Sequence, residues 1–436
     1  MDRVTDRAST PATPSPPVEG TPFDSAPAEG AHAEGAPSLL APLLSAEGQS
    51  LLAELRDHDP AAELAVATRL RRDHPAELVS AALAQARLRQ RAVVKFGARD
   101  AYRMYFTPNG VEQATRGAVA AHRAARFRAL MAPADGEAPR VTDLCCGIGG
   151  DAIELVRADL AVSAVDIDPL TCEIARTNLR TLTPGGPPVT VTRADVLEYD
   201  LTGAEALFID PARRGGRGRI FNPEAYSPPL SWAIEAVRRV GTGAIKIAPG
   251  IPHELVPDDF EAEWISYGGD VKEAVLWHRP GAVVPGTRRA TLLSSGATVT
   301  LTGRGLPDPP VRRTGRFLYE PDGAVIRAHL VAEVAEELDG GLIDETIAYI
   351  TADEARPTPY ATAYEITDEL PFHLKRLKAL LREREVGVLT VKKRGSAVEP
   401  EELRRRMKLK GPHAATVFLT RAAGAPTMLI GHPVGA

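Results

Sequence analysis

The segment VTDLCCGIGGD, from Val141 to Asp151, is the most informative part of this 436-residue chain. It predicts a buried strand that runs into a glycine turn and then opens a helix. Gly147 and Gly149 suit that turn, because glycine adopts positive φ angles and leaves room for a ligand at the backbone. A second predicted strand, VSAVDID over 162–168, ends in acidic residues. Together the two strands predict the front half of a nucleotide-binding βαβ unit.

Acidic residues near the strand ends indicate where parts of a ligand would lie. Asp166, at the tip of the second strand, is suited to hold ribose hydroxyls. Asp143 lies just before the turn, where a carboxylate suits a sulfonium or an amino group better than a nicotinamide. Asp195 follows a third predicted strand and is suited to accept a hydrogen bond from an adenine amine. A structural role at a strand end is the alternative for these acids, and Asp168 is expected to cap the helix that begins at Pro169.

Four segments carry a resemblance to a known family: DLCCGIGGD (143–151), AVDIDP (164–169), RADVLEY (193–199) and FIDPARR (208–214). They resemble class I S-adenosylmethionine-dependent methyltransferases, and the first two are particularly similar to the trimethylguanosine synthase type. The resemblance implies a Rossmann-like α/β fold, methyltransferase activity and S-adenosylmethionine as the cofactor. The residues expected to contact that cofactor are Asp143, Cys146, Gly147, Gly149, Asp166, Ile167, Asp195 and Val196.

The DPAR segment, Asp210 to Arg213, is the expected acceptor site. Amine-methylating relatives commonly carry (D/N)-P-P-(Y/W) here, so Arg213 replaces the aromatic residue that would stack on a base. If the acceptor is an exocyclic amine, Asp210 accepts its N–H, and Pro211 stiffens the loop. Arg213 or Arg214 would stack on the base or bind a phosphate, although a flexible basic loop explains these arginines equally well.

The C-terminal stretch 386–421 is similar to the THUMP-like domain of a bacterial methyltransferase family. The whole resemblance covers about 100 to 420 and implies an RNA acceptor. Residues 371–410 contain 13 Lys or Arg and 5 Glu, a net charge of +8 in a chain whose net charge is −5. A run of charged residues usually forms a solvated surface. The concentration of positive charge in one segment of an acidic chain nevertheless favours a polyanionic partner. The expected RNA contacts are Lys392, Lys393, Arg394, Arg404, Arg405 and Arg406.

Changes in residue pattern divide the chain into five predicted segments. Residues 1–37 contain almost no large apolar side chains and are expected to form a disordered tail. A helical domain is predicted over 38–132, with one helix over 111–130. Strands near 140–145, 162–167, 189–194, 205–210 and 243–248 alternate with helices, which predicts a doubly wound catalytic domain over 133–285. A hairpin connector (286–312) and an α+β RNA-binding module (313–424) follow, with 317–328 predicted to be strand-like.

The chain has three cysteines, Cys145, Cys146 and Cys172, which lack the spacing of a disulfide framework or a metal site. A reducing, cytoplasmic compartment is therefore expected, with no metal and no membrane segment. Enzymes that methylate C5 of a pyrimidine need a cysteine nucleophile near the acceptor, after the fourth strand. All three cysteines precede that strand, so we expect no covalent cysteine adduct.

Three other functions fit parts of the sequence. A protein or small-molecule methyltransferase would use the same cofactor motifs. A non-catalytic RNA-binding protein could retain a vestigial cofactor fold, although the acids at all four motif positions disfavour this interpretation. A nicotinamide-dependent oxidoreductase shares the glycine turn, but no Tyr-x-x-x-Lys or comparable hydride-site pattern is evident.

Overall fold

A computed structural model of the chain describes residues 40–131, 137–212, 214–215, 218–219 and 222–435. The predicted tail over 1–37 and Arg213 of the acceptor loop lie outside these described residues. Within them, no helix is long and apolar enough to cross a membrane.

The N-terminal region is helical. Its helices are α1 (Ala41–Leu44), α2 (Ala46–Glu54), α3 (Glu63–Leu70), α4 (Ala76–Ala101), α5 (Pro108–Gln113) and α6 (Gly117–Leu130). The sequence predicts one helix over 111–130, whereas the chain leaves the helical conformation at Ala114, with φ −55° and ψ 140°, and resumes it at Gly117. This break leaves Thr115 in the connection, where it contacts the catalytic domain.

A large sheet follows these helices. Its elements, with the short β5–β6 hairpin, are β1 (Arg140–Leu144), α7 (Gly150–Arg157), β2 (Ala161–Asp166), α8 (Pro169–Leu182), β3 (Val189–Arg193), β4 (Ala206–Ile209), β5 (Arg214–Gly215), β6 (Gly218–Arg219), α9 (Leu230–Val240), β7 (Gly243–Ile247), β8 (Glu261–Tyr267), β9 (Asp270–His278), β10 (Arg288–Leu293) and β11 (Thr298–Thr302).

In the described part of the chain this first sheet has nine strands, in the order β11-β10-β8-β9-β7-β4-β1-β2-β3. Strands β3, β2, β1, β4 and β7 are parallel, and β9 pairs antiparallel with β7. The strand order reverses between β1 and β4, and open sheets of this kind bind ligands at the carboxyl ends of such strands. The predicted Rossmann-like α/β fold is therefore confirmed. The expected connector forms β10 and β11, which extend the sheet at its edge.

Apolar side chains cover both faces of the first sheet. On one face, the N-terminal helices share a continuous core with the strands, in which Phe127 contacts Phe208 and Trp277. On the other face, α9 packs through Ala233 and Val237. The N-terminal helices are thus joined to the catalytic sheet by buried apolar surface, whose removal from water is the main favourable contribution to folding.

The C-terminal region forms a second sheet. Its elements are β12 (Phe317–Pro321), α10 (Gly323–Arg327), α11 (Val331–Glu337), β13 (Gly341–Asp344), β14 (Ile347–Ala352), β15 (Ala361–Pro371), α12 (Leu374–Glu383), β16 (Val386–Lys393), α13 (Pro400–Met407), β17 (His413–Ala422) and β18 (Ala425–Pro433). The predicted strand over 317–328 ends at Pro321, because the Asp322 side chain caps α10 by accepting the N–H of Ala324 at 2.8 Å.

Among the described residues the second sheet has seven strands, in the order β13-β14-β12-β15-β18-β17-β16. It curls so that the turn after β17 meets β13, where the N–H of Ala423 donates to the Ile343 carbonyl at 2.8 Å. Helices α12 and α13 pack on one face through Leu377 and Leu403. Other side chains, including Phe418, form a separate core that draws on β12, β13, β14, β15, β17 and β18.

Candidate active site

The glycine turn after β1 is held against the end of β2. The N–H of Cys146 donates to the Val165 carbonyl at 3.0 Å, and the N–H of Gly147 donates to Oδ2 of Asp166 at 2.9 Å. The φ angles of Gly147 and Gly149 are 56° and 81°, a region that favours glycine. The two glycines therefore supply the backbone conformation that this turn requires, and Gly149 leads directly into α7.

Asp166, the residue expected to hold the ribose, also stabilises the turn through its carboxylate. Its Oδ1 accepts the N–H of Asp168 at 3.0 Å, while Oδ2 accepts that of Gly147. A carboxylate oxygen can accept more than one hydrogen bond, so both oxygens keep capacity for hydroxyl groups. Asp168 caps α8 through the N–H of Thr171 at 2.7 Å, as the sequence predicts.

The predicted adenine region combines an acid with exposed apolar side chains. Oδ1 of Asp195 accepts the N–H of Leu197 at 2.9 Å, which fixes the loop after β3. Ile167 is 62% exposed and Leu197 is 51% exposed, whereas Val196 is buried. Ile167 and Leu197 follow the carboxyl ends of neighbouring strands, where a planar base would cover apolar surface.

Asp143 carries a buried carboxylate to which no described residue donates a hydrogen bond. Its side chain is 0% exposed, and among the described residues neither carboxylate oxygen has a hydrogen bond. Burial, with the nearby charges of Asp151 and Asp210, raises the pKa of Asp143 well above its ordinary value. A positively charged group beside Asp143 would relieve this cost, so the site fits the ammonium group or the sulfonium of S-adenosylmethionine.

Asp210, at the carboxyl end of β4, is tied to both neighbouring strands of the sheet. Its N–H donates to the Leu144 carbonyl of β1 at 3.3 Å. On β7, the Lys246 ammonium lies 2.5 Å from Oδ2 of Asp210 and 2.9 Å from Oγ1 of Thr115. Lys246 is only 4% exposed. Sequence reasoning missed it, although a single lysine in the apolar strand GAIKI was a usable signal.

A second buried cation lies near the turn. Arg123 of α6 is 2% exposed and forms ion pairs with Asp151 of α7 and Glu273 of β9. Burial opposes the guanidinium charge, but the two carboxylates raise the pKa of Arg123 above its ordinary value. It also donates to Oγ1 of Thr115 at 3.3 Å, so the N-terminal helices supply side chains to the site.

A buried amide also connects the N-terminal helical region with the cofactor turn. Nδ2 of Asn178, on α8, donates to the carbonyl groups of Ile148 and Tyr105, both at 3.0 Å. Its Oδ1 accepts the N–H of Tyr105 at 2.7 Å. Asn178 thus satisfies polar backbone groups from both regions in a fully buried position.

Pro211 and Ala212 of the acceptor loop are held in place. Pro211 is buried, and the N–H of Ala212 donates to the Ser227 carbonyl at 2.9 Å. The predicted catalytic set therefore has Asp210 and Pro211 at the carboxyl edge of the sheet, while Arg213 lies outside the described residues.

The cysteines lie in and behind the cofactor turn. Burial raises the pKa of the Cys145 and Cys146 thiols and raises that of Cys172 to about 11. The Cys146 side chain, an expected cofactor contact, is buried and lies 3.6 Å from the Gly147 carbonyl oxygen. These thiols are therefore poor nucleophiles at neutral pH, because the thiolate is the reactive form. In the described ranges, no cluster of acids, histidines and cysteines is arranged to hold a metal ion.

Most of the predicted RNA contacts are engaged in ion pairs. Lys392 lies 2.7 Å from Glu320 of β12, and Arg394 lies 3.7 Å from the same carboxylate. The other pairs are Lys393 with Glu399, Arg404 with Glu401 and Arg406 with Glu402. Arg405 is exposed and has no ion pair within the part of the chain that the structure describes. Charge counting along the sequence could not reveal the partner on β12.

The THUMP domain-like family matches residues 361–433, which comprise β15 to β18 with α12 and α13. A domain family of unknown function, DUF8688, matches residues 37–92. The chain is similar in structure to a candidate methyltransferase from Porphyromonas gingivalis W83, with a TM-score of 0.71 and 21% identity over 89% of this chain and 99% of that one. The fold is therefore shared with that protein.

Two Mycobacterium tuberculosis proteins, from strains CDC 1551 and H37Rv, are described as uncharacterized S-adenosylmethionine-dependent methyltransferases. Each is 36% identical to this chain over 322 residues, which cover 72% of this chain and 84% of the relative. With this identity and coverage, and with a site that fits the cofactor, the chain belongs to the family of S-adenosylmethionine-dependent methyltransferases.

Proposed function

We propose that this methyltransferase modifies an exocyclic amine of an RNA base. The observation that carries the proposal is the position of Asp210, beside the cofactor turn with one carboxylate oxygen fixed by Lys246. Within the described residues, Oδ1 of Asp210 makes no hydrogen bond. That oxygen is suited to accept the N–H of an amine and so to direct the nitrogen lone pair toward the methyl group.

The chain itself contributes orientation and electrostatics. When bound, S-adenosylmethionine supplies a methyl group on a positively charged sulfur. Asp143 would balance positive charge on the cofactor, Asp166 would hold its ribose and Asp195 would meet its adenine. The raised thiol pKa values support direct transfer without a cysteine adduct, and three unpaired thiols favour a reducing, cytoplasmic compartment.

The RNA part of the proposal rests on the THUMP domain-like match and on the cations of α12 and α13. These helices are neighbours, because Nζ of Lys378 donates to the Arg406 carbonyl at 2.9 Å. Exposed ion pairs such as Arg404–Glu401 contribute only about 0–1 kcal/mol, so phosphates can replace their carboxylates at little cost. Exposed cations without an ion pair among the described residues are Lys375, Arg376, Arg382, Arg405, Lys408 and Lys410.

Mass spectrometry of RNA nucleosides tests the proposal. Purified protein is incubated with S-adenosylmethionine and with RNA from cells that lack it, beside the Asp210→Ala variant. We expect one N-methylated nucleoside with the unaltered chain and almost none with the variant. Unmodified RNA, together with methyl transfer to a protein or a small molecule, would overturn the RNA assignment while leaving the methyltransferase activity in place.

A further inference from the structure

A cavity of about 440 Å³ lies between the first sheet and the C-terminal region. One wall follows β7, and the other is formed by α10 and the turn after it, with one residue contributed from the end of β16. Its lining residues are Pro249, Ile251, His253, Gly323, Ile326, Arg327, His329 and Arg394. Among these described lining residues there are two arginines and two histidines but no acid. The lining therefore favours an anionic ligand.

The two arginines carry little compensating negative charge, because only Arg394 has a carboxylate partner among the described residues and it shares that partner with Lys392. Arg327 is exposed and forms no ion pair with any described residue, and its guanidinium lies against the backbone at Gly250. Arg394 lies 3.7 Å from Glu320, which binds Lys392 more closely, at 2.7 Å. Outside the lining, the Glu254 charge acts on His253 and the Asp308 charge acts on His329. Arg288 also faces His329, and its guanidinium lies 3.4 Å from Nδ1 of that ring.

Two polar atoms of the lining residues lack partners. Among the described residues, Nε of Arg394 and Nδ1 of His253 are buried without a hydrogen bond. The His253 ring is fixed, because its Nε2 donates to the Arg327 carbonyl at 2.9 Å and its plane stacks on Trp264 and His329. Unsatisfied buried groups in a native structure commonly mark an absent water or ligand. An anionic oxygen would satisfy the Arg394 donor, and a hydroxyl would satisfy the His253 acceptor.

The cavity and the methyl-transfer site share one edge of the first sheet. Strands β7 and β4 are parallel, so the residues that follow β7 lie at the same edge as Asp210. Pro249 follows Lys246 by three residues, a span of at most about 10 Å of chain. A chain-like acceptor whose base lies at Asp210 would therefore be able to reach Arg327 and Arg394.

We propose that this cavity binds a phosphate group of the RNA acceptor, close to the nucleotide whose base is methylated. The proposal rests on the proposed function, because it assumes a nucleic acid at Asp210. It assigns to Arg327 a role in binding and not in the chemical step, since that side chain belongs to the cavity and not to the acceptor loop.

Titration of an oligoribonucleotide into the full-length protein loaded with S-adenosylhomocysteine tests the cavity. We expect Arg327→Ala to weaken RNA affinity roughly tenfold, the scale for one charged hydrogen bond. The log–log salt slope should become shallower by about 0.7, as one phosphate contact is lost. Arg180→Ala is the matched control, because this exposed arginine lies on α8, which packs on the opposite face of the first sheet. Its affinity and slope should be unchanged.

Two other results would overturn the proposal in distinguishable ways. If Arg327→Ala bound RNA with the same affinity and salt slope as the unaltered chain, the cavity would not hold a phosphate, although RNA methylation would stand. The other result is that no RNA binds, while AMP or inorganic phosphate binds and this binding depends on Arg327. The proposal of an RNA acceptor would then be wrong, and the cavity would bind the phosphate of a small molecule.

Discussion

The Lys246 ammonium lies 2.5 Å from a carboxylate oxygen of Asp210 and 2.9 Å from the hydroxyl of Thr115. The pair connects adjacent parallel strands at the edge where the cofactor turn lies. Lys246 is almost fully buried, so its charge is compensated mainly by Asp210. One oxygen of the acceptor acid is therefore fixed, which defines the direction of the other.

Lys246→Met should lower turnover by roughly 10²-fold, because a misplaced positioning group costs about that much in rate. Affinity for S-adenosylhomocysteine should change by less than a factor of about three, since Lys246 does not contact the cofactor turn. Single-turnover kinetics and calorimetry measure the two effects separately. Thr115→Val is the milder control, because it removes the hydrogen bonds that Lys246 and Arg123 donate to the hydroxyl and leaves the Lys246–Asp210 ion pair. Full turnover in a folded Lys246→Met protein would reduce the pair to a structural role.

Asp143→Asn should stabilise the ligand-free protein and weaken cofactor binding. The folded-state pKa of Asp143 is raised above 3.8, so its ionisation opposes folding at neutral pH. The difference in unfolding free energy between variant and unaltered protein should be largest above the raised pKa. It should disappear as the pH falls through that pKa toward 3.8. Chemical denaturation across a pH series measures it, and a destabilised variant at neutral pH would contradict the expectation.

Cofactor binding should also release a proton from Asp143. The raised pKa favours the protonated carboxyl in the free protein, and a bound cation favours the carboxylate. Calorimetry in buffers with different ionisation enthalpies would detect the released proton. Asp143→Asn provides the control, because an amide has no proton to release. Equal proton release by both proteins would assign the effect to another group.

Sequence patterns indicated the parts of the candidate site that are local in the chain, and the structure shows where these residues lie. The turn after β1 and the acids at or just after the ends of β2, β3 and β4 were recognisable, because strand alternation and glycine spacing act over a few residues. The partners of those acids were not, since Lys246 is 36 residues from Asp210 and Thr115 is 131 residues from Lys246. Arg123 and Glu273 are separated by 150 residues. Strands β13, β14, β15 and β18 were also missed, because their pairing depends on the curled second sheet.

The cysteine variants test direct transfer. Cys145→Ala, Cys146→Ala and Cys172→Ala should each retain activity, because burial raises the thiol pKa values and disfavours the thiolate. Turnover and intact-protein mass spectrometry during the reaction provide the measurements. If the unaltered protein formed a covalent adduct with RNA and one of these substitutions abolished it, the mechanism would instead use that cysteine as a nucleophile. Cys146→Ala has the greatest structural risk, since its thiol packs inside the turn, so its melting temperature should be measured in parallel.

The C-terminal region should bind RNA more through the cations of α13 than through those at the end of β16. Replacing Arg404, Arg405 and Arg406 by Ala should leave stability nearly unchanged and make the log–log salt slope shallower by about 0.7 per lost contact. Replacing Lys392, Lys393 and Arg394 should lower stability, because Glu320 loses both of its cationic partners. Its effect on the salt slope should be limited to the one phosphate contact proposed for Arg394 in the cavity. Fluorescence anisotropy with an oligoribonucleotide, beside thermal unfolding, separates the two effects.

Glu401→Gln with Glu402→Gln supplies the matched test of the same surface. These substitutions release Arg404 and Arg406 from their ion pairs, so RNA affinity at low salt should increase. If the α13 surface is only solvated and does not bind RNA, neither the arginine nor the glutamate substitutions would change RNA affinity. The salt slope of RNA binding would then also stay the same. That result would favour a protein or small-molecule acceptor, because the charges of α13 would then serve only to keep its exposed face hydrated.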